Sequence, residues 1–141
     1  MIIKYLEGTN IETRHLNNLF NAVGWRHREE RKWKEVFSKS HFVYTAWDET
    51  KDETKLVGMA RIVEDGVMCM FYDICVHPDY QRKGIGSRIL KELINRTKDK
   101  EYRSIGLFAW EENPANIKFY EKFGFVRTSG MELAKQNKLP P

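Results

Sequence analysis

A glycine-rich turn is the stretch of this sequence whose residue types and spacing point most directly to chemistry. It reads Gln81-Arg82-Lys83-Gly84-Ile85-Gly86-Ser87, between a strand-like segment (70–76) and a helix-like segment (88–94). A helix that starts after such a turn exposes main-chain N–H groups at the positive end of its dipole, where phosphate binds. The glycines let an anion approach the main chain, and Arg82 and Lys83 add positive charge. The turn therefore predicts a ligand that carries phosphate.

Two common phosphate-binding motifs do not fit this turn. A P-loop has Gly-Lys followed by Ser or Thr, whereas Lys83 precedes Gly84 here. A Rossmann fingerprint requires three spaced glycines and an acidic residue on a second strand, and only Gly84 and Gly86 are present. The turn must belong to a different class of phosphate site.

The elements that must position this turn follow from hydrophobic periodicity and turn signals. Strands are predicted at residues 1–7, 41–47, 56–63, 67–76, 104–110 and 125–133. Helices are predicted from a capping box at 9–12 to residue 23, at 25–37, from the turn to about residue 97, and at 116–123. Asp65-Gly66 signals a hairpin. This order predicts the α/β or α+β class, with a mixed, mostly antiparallel sheet flanked by helices.

Composition limits the class of protein. The chain has 141 residues, 41% hydrophobic and 31% charged, which predicts one soluble domain with a tail that frays from about residue 134. The net charge of +4 favours an anionic ligand, but the basic residues are interleaved with acids, which argues against nucleic acid. No membrane-spanning stretch, signal peptide or metal-ligand spacing is evident. Cys69 and Cys75 are expected to be buried thiols of a cytoplasmic protein, and a homodimer is the default assembly.

A second motif lies downstream of the turn. Residues 113–125 read Asn-Pro-Ala-Asn-Ile-Lys-Phe-Tyr-Glu-Lys-Phe-Gly-Phe, in which Tyr120 follows Asn113 by seven residues. With the glycine-rich turn upstream, this stretch resembles the two sequence signatures of the GNAT superfamily of N-acetyltransferases, and the resemblance covers nearly the whole chain. It implies an acyl-CoA N-acyltransferase fold, acetyl-CoA as acetyl donor, and no metal.

The resemblance also implies where the coenzyme lies. The strand at 71–76 is expected to splay away from the strand at 104–110, with the pantetheine arm in the gap beside Val76. Main-chain N–H groups of residues 82–87 would hold the pyrophosphate. The full expected coenzyme-binding set is Ile74, Cys75, Val76, Gln81, Arg82, Lys83, Gly84, Ile85, Gly86, Ser87, Asn113, Asn116 and Tyr120.

Tyr120 is the expected general acid. In enzymes of this type the amine attacks the thioester directly, and the leaving thiolate takes a proton from the tyrosine. Main-chain N–H near Val76 could polarise the carbonyl. The alternative for Tyr120 is plain packing on a short helix.

Asp73 is the candidate general base. Some family members place a glutamate where this chain has Phe108, so that base is absent. Regular alternation puts Asp73 on one strand face with Phe71 and Cys75, and apolar neighbours would raise its pKa. A hydrogen-bonded structural aspartate and an amine-binding anion are the alternatives.

The acceptor site is expected around an aromatic wall. Trp25, Phe71 and Trp110, with Asp73, could surround an amine by cation–π contact, and core packing is the alternative. The expected acceptor is a small primary amine, with a loose likeness to arylalkylamine acetyltransferases. A peptide or protein N-terminus and a non-catalytic acyl-CoA-binding module remain open. A short closed loop at Trp25 would favour a small molecule, and an open groove a peptide.

Overall fold

The computed structural model describes residues 1–134 of the chain. The strands are β1 (Ile3–Glu7), β2 (Phe42–Asp48), β3 (Lys55–Glu64), β4 (Met68–Val76) and β5 (Ser104–Leu107). The helices are α1 (Thr13–Ala22), α2 (Glu30–Ser38), α3 (Ile85–Asn95) and α4 (Pro114–Glu121), with a short 3-10 turn at Pro78–Tyr80.

The five strands form one sheet in the order β1-β2-β3-β4-β5. Neighbours run antiparallel from β1 to β4, and β5 lies parallel to β4. A mixed, mostly antiparallel sheet flanked by helices is therefore confirmed. At the hairpin between β3 and β4, Gly66 has φ +91°. The Asp65 carboxylate there accepts the N–H groups of Val67 and Met68 at 2.9 and 2.8 Å, which confirms the predicted turn.

Each face of the sheet carries its own apolar cluster. On one face, buried side chains of α3 pack with Phe71 and with Tyr120 of α4. On the other face, side chains of α1 and α2 pack with Met59 and Cys75. The two clusters hold β4 from both sides, so a side chain of β4 can be assigned to a face by the cluster that it joins.

Both N-terminal helices begin later than predicted. The expected capping box does not form, since α1 starts at Thr13 and its N-cap, Glu12, makes no side-chain cap bond. The Glu12 carboxylate pairs instead with Arg14 at 2.9 Å. Helix α2 starts at Glu30 rather than Trp25, because the Asn17 side chain accepts the Arg28 N–H at 3.1 Å and donates to its carbonyl at 2.8 Å. These bonds replace helical ones, so residues 24–29 form a connecting segment.

The C-terminal part also differs from the prediction. Strand β5 ends at Leu107, and Phe108 and Trp110 beyond it are exposed and stack on each other. Residues 125–133 form no strand, so β5 is the sheet edge within the described residues. Gly124 (φ +93°) turns the chain so that the Phe125 ring packs on Phe71 and Tyr120 instead of extending along β5. The tail predicted to fray lies almost wholly outside the described residues.

Candidate active site

The glycine-rich turn opens directly into α3. Gly84 is the N-cap with φ +83°, and a Cβ built on it would meet no atom within 4 Å. The first main-chain bond of the helix runs from the Arg88 N–H to the Gly84 carbonyl, so the N–H groups of the first turn have no carbonyl behind them. Arg82 also has a left-handed conformation, at φ +61°. Open space, free donors and positive charge fit a diphosphate at this position.

Strands β4 and β5 diverge as predicted. They pair only from Met68 and Ser104 to Phe71 and Leu107, and β4 then continues to Val76 without a strand on that side. The start of α3 lies beside the end of this gap, since a Cβ built on Gly86 would be in ordinary contact, at 3.5 Å, with the side chains of Val76 and Phe119. The turn and the gap are therefore adjacent.

The main chain of Val76 faces the gap. The His77 N–H donates to the Val57 carbonyl of β3 at 2.8 Å. Because successive residues of a strand point their main-chain groups to opposite sides, the N–H and C=O of Val76 point away from β3. The Gln81 side-chain amide donates to that carbonyl at 3.1 Å. Val76 thus offers a strand edge at the position expected for the pantetheine arm, with Gln81 at its rim.

Tyr120 lies on α4, with only 8% of its surface exposed. Burial, with a smaller contribution from nearby Cys75, raises the pKa of its phenol to about 12. Its hydroxyl has no hydrogen-bond partner among residues 1–134. It therefore keeps its proton at neutral pH, as a proton donor must before transfer, but a pKa of about 12 makes it a weaker acid than an ordinary phenol.

Asn113 and Asn116 form the N-terminal cap of α4. The Asn113 side-chain oxygen accepts the Asn116 N–H at 3.4 Å, and Asn113 is the N-cap residue. Asn116 is exposed in the first turn of the helix. The cap explains why Asn precedes Pro114 here, and contact of either residue with coenzyme stays a prediction.

The environment predicted for Asp73 is wrong. Its carboxylate accepts two hydrogen bonds from the Arg28 guanidinium, at 2.8 and 3.0 Å, and one from Arg61 Nε at 2.7 Å. Burial alone would raise the pKa of Asp73, but the two guanidinium groups outweigh it and hold that pKa below its ordinary value. A carboxylate stabilised in this way is a weak base. The arrangement matches the alternative of a hydrogen-bonded structural aspartate.

The predicted alternation along β4 is also wrong. Asp73 has φ +54°, and the register slips between Met59 and Arg61 of β3 at this point. Asp73 and Ile74 together stand opposite one residue of β3, which defines a β-bulge. As a result, Phe71 joins the cluster with α3 while Cys75 joins the cluster with α1 and α2.

The structure does not assemble the predicted aromatic wall. Trp25 packs edge-on against Phe20 with ring centroids 5.1 Å apart. Phe71 is 1% exposed in the cluster on the other face, and Trp110 is 59% exposed beyond the end of β5. The core-packing alternative holds for Trp25 and Phe71.

Two residues missed by sequence reasoning hold Asp73. Arg28 lies in a run of alternating charges that was interpreted as a solvated helix face, and Arg61 in a predicted strand. No local pattern could have identified them, because their partner lies 45 and 12 residues away.

Two cavities accompany these features. The larger, of about 690 Å³, follows the outer edge of β5 and is lined by Tyr120, Leu107, Ile117 and Phe125 among others, but not by the glycine-rich turn. The smaller, of about 300 Å³, lies between α1 and the start of β3 and includes His77.

In the part of the chain that the structure describes, no group of three or more His, Cys, Asp or Glu side chains could hold a metal ion. Nor does a helix of residues 1–134 have the length and apolarity to cross a membrane.

A mixed sheet with two diverging parallel strands over a glycine-rich helix start defines the acyl-CoA N-acyltransferase class of folds. Comparison with known proteins agrees with that class. The model of the acetyltransferase (GNAT) family matches residues 10–125. The chain is 34% identical to an uncharacterized N-acetyltransferase, ycf52, of Porphyra purpurea, over 87% of this chain and 70% of that protein.

Two further relatives are informative. A GNAT-family acetyltransferase from Streptococcus pneumoniae superposes with a TM-score of 0.77 and 30% identity, covering 96% of this chain and all of that one. Serotonin N-acetyltransferase 2, chloroplastic, of rice is 27% identical over 84% of this chain and 58% of its own length. The chain therefore belongs to the GNAT family and is an N-acetyltransferase.

Proposed function

We propose that this protein transfers the acetyl group of acetyl-CoA to the primary amine of a small molecule, by direct attack within a ternary complex. The observation that carries the proposal is the gap between β4 and β5, with the main chain of Val76 on one wall and the glycine-rich turn at its end. When bound, the coenzyme supplies an acetyl thioester. The turn at 82–87 would bind its phosphates and Val76 would bind its pantetheine arm.

The Val76 N–H is the proposed donor to the reacting carbonyl oxygen. It points into the gap and not to β3. A fixed main-chain donor stabilises negative charge as it develops on such an oxygen, and it needs no rearrangement during the reaction.

Tyr120 is the proposed proton donor. Its Oη retains the proton at neutral pH, since an ordinary phenol has a pKa of about 10 and burial raises that of Tyr120 further, to about 12. Neither cysteine competes as a nucleophile, since both are buried and burial raises the pKa of both thiols. Direct attack by the amine is the route that these residues support.

Asp73 does not serve as the base in this proposal. Its two arginine partners favour the ionised form so strongly that it would take up a proton poorly. The acceptor therefore reacts as a free amine that has already lost one proton to solvent. When the tetrahedral intermediate collapses, the C–S bond breaks, the thiolate takes the proton of Tyr120, and the nitrogen releases a second proton to solvent, from which Tyr120 is reprotonated.

The acceptor is proposed to be a small amine because the segment at Trp25 is short and tied down. Residues 24–29 connect α1 and α2, Trp25 packs on Phe20, and Arg28 is ion-paired to the sheet. Arylethylamines are the first compounds to test, since the rice relative is named for serotonin.

A peptide or protein N-terminus is the second candidate. The cavity of about 690 Å³ lies beside β5, and Tyr120 contributes to its lining. An extended peptide could lie along the free edge of β5 there. A panel that contains both aromatic amines and short peptides separates the two candidates.

The test of the function is thiol release from acetyl-CoA in the presence of such a panel, for the wild type and for Tyr120→Phe. The variant keeps the ring but removes the proton donor, so we expect kcat to fall at least tenfold, since a general acid contributes about 10²–10⁴-fold. Tyr102→Phe removes a phenol hydroxyl elsewhere and is expected to match the wild type.

Equal kcat in Tyr120→Phe and the wild type would remove Tyr120 from the mechanism. If the wild type binds coenzyme but releases no thiol with any amine or peptide, the non-catalytic acyl-CoA-binding alternative replaces the proposal.

The cytoplasmic location and the homodimer stay predictions. Because the rice relative is named as chloroplastic, a plastid location is the alternative for fractionation to test.

A further inference from the structure

An ion-paired cluster joins three separate parts of the chain. Arg28 comes from the segment between α1 and α2, Arg61 from β3, and Asp73 from the bulge in β4. The three N–O distances are 2.7 to 3.0 Å, and the side chains of Arg28, Arg61 and Asp73 are 27%, 12% and 11% exposed. Partly buried, bidentate arginine–carboxylate contacts of this kind fix geometry as well as adding stability.

Arg28 is held in one position by further contacts. Its guanidinium lies over the rings of Phe20 and Trp33, at 5.0 and 4.7 Å from their centroids. Asn17 binds both main-chain groups of Arg28 and also accepts the indole N–H of Trp33 at 3.1 Å. The arginine that reaches Asp73 is therefore anchored before it makes the ion pair.

Asp73 occupies a backbone conformation that needs such support. Its φ of +54° is left-handed, which costs free energy for any residue with a side chain. Arg28 and Arg61 form ion pairs with the carboxylate of this strained residue and so stabilise the bulge.

The bulge decides which residue of β4 faces the gap. Arg61 stands opposite Tyr72 and Met59 stands opposite Cys75, so β4 carries one extra residue between these pairs. Without that residue, the strand would advance by one position and Val76 would replace His77 as the partner of Val57. The N–H of Val76 would then bind β3 and would be lost to the gap.

We propose that Asp73 is a positioning residue. Held by Arg28 and Arg61, it stabilises the bulge in β4, and the bulge directs the main-chain N–H and C=O of Val76 into the gap. The identity of the ligand in the gap rests on the proposed function. Stabilisation of the bulge by these ion pairs is a property of the ligand-free protein, so it can be tested separately.

The test is amide hydrogen exchange, followed by NMR on the ligand-free protein, for Arg28→Gln and Asp73→Asn. Asparagine tolerates a left-handed conformation, so Asp73→Asn removes the ion pair with little added strain. We expect the protection of the His77 amide to fall at least tenfold in both variants. Protection at Phe71 and Ile62, on the other side of the bulge, should stay within twofold.

Kinetics supply a second readout. Both variants should raise KM for acetyl-CoA at least fivefold and lower kcat at least tenfold, because the Val76 N–H is also the proposed oxyanion donor, and the double variant should be no worse than either single one. Arg26→Gln removes a positive charge from the same segment, where Arg26 is exposed, and should match the wild type.

Three results would overturn the inference. Unchanged protection at His77 in Arg28→Gln would show that the bulge does not need the ion pair. An equal loss of protection along all of β4 would show a purely structural role. Loss of kcat in Asp73→Asn with normal behaviour of Arg28→Gln would return Asp73 to the role of base. If Asp73→Asn does not fold, the exchange result for Arg28→Gln is sufficient to test the inference. If the wild type shows no turnover, the proposed function is refuted, but the exchange result still tests the inference.

Discussion

Two residues of the glycine-rich turn have left-handed conformations, and only one of them is glycine. Gly84 adopts φ +83° and Arg82 adopts φ +61°. An L-residue in that conformation carries a cost of about 1–2 kcal/mol, and Arg82 is exposed, so packing does not explain its choice. A strained arginine next to free helix N–H groups is understandable if its charge serves a ligand.

Arg82→Gly is therefore expected to stabilise the protein and weaken coenzyme binding at the same time. Relief of strain should add about 1 kcal/mol to the free energy of unfolding in urea. Loss of one charge-assisted contact should raise the Kd of coenzyme A about tenfold. Arg82→Lys keeps charge and strain and should leave both values close to those of the wild type. Stability and affinity that change in the same direction would contradict this account.

At the scale of elements, the close approach of α3 to the sheet depends on Gly58 of β3. A Cβ on Gly58 would lie 2.9 Å from Ile89 Cδ1 and 3.3 Å from Ile85 Cγ2. Both isoleucines are almost fully buried, so they have little room to move. The position of the turn at the start of α3 follows from this packing.

Gly58→Ala is expected to lower the free energy of unfolding by about 1–3 kcal/mol, as overpacking does elsewhere. Urea denaturation followed by circular dichroism measures the change. Gly130→Ala is the matched control, because a Cβ there meets no atom within 4 Å. If Gly58→Ala were as stable as this control, α3 would not be held as closely as the structure indicates.

The sequence predicted most elements, and the exceptions have local causes that it does not display. The strands up to β4, the hairpin and α3 follow from periodicity, turn residues and the glycine-rich motif. The predicted start of α2 was wrong because the side chain of Asn17, which lies in α1, forms hydrogen bonds with both main-chain groups of Arg28. The strand at 125–133 was wrong because Phe125 turns inward to Phe71 and Tyr120.

Some features of the candidate site were likewise predicted from the sequence, and others were not. The divergence of β4 from β5 was implied by the resemblance to the GNAT superfamily, whose motifs lie within short stretches of sequence. The environment of Asp73 did not, because it depends on arginines from two other elements and on a bulge that breaks the alternation of β4. Burial of Asp73 was expected, and its charge partners were not visible.

Across the whole molecule, the chemistry is concentrated at one end of the sheet. The gap beside Val76 and the glycine-rich turn adjoin there, while the ion-paired cluster secures β4 from the α1–α2 side. The outer edge of β5 is free among the described residues and bears exposed Ile105. We propose that the turn at the start of α3 binds the diphosphate of coenzyme A, and the roles assigned to Val76 and Tyr120 depend on that binding.

Calorimetric titration of acetyl-CoA into the wild type, Gly84→Glu and Gly66→Glu tests that claim most directly. Both substitutions place a glutamate at a glycine with positive φ and open space, at +83° and +91°, so both carry the same backbone strain. Only Gly84→Glu introduces a carboxylate where the diphosphate is expected. The account predicts saturable binding to the wild type and Gly66→Glu, with an affinity at least tenfold weaker for Gly84→Glu. Equal affinities for all three proteins, or no heat of binding to the wild type at millimolar coenzyme, would contradict it.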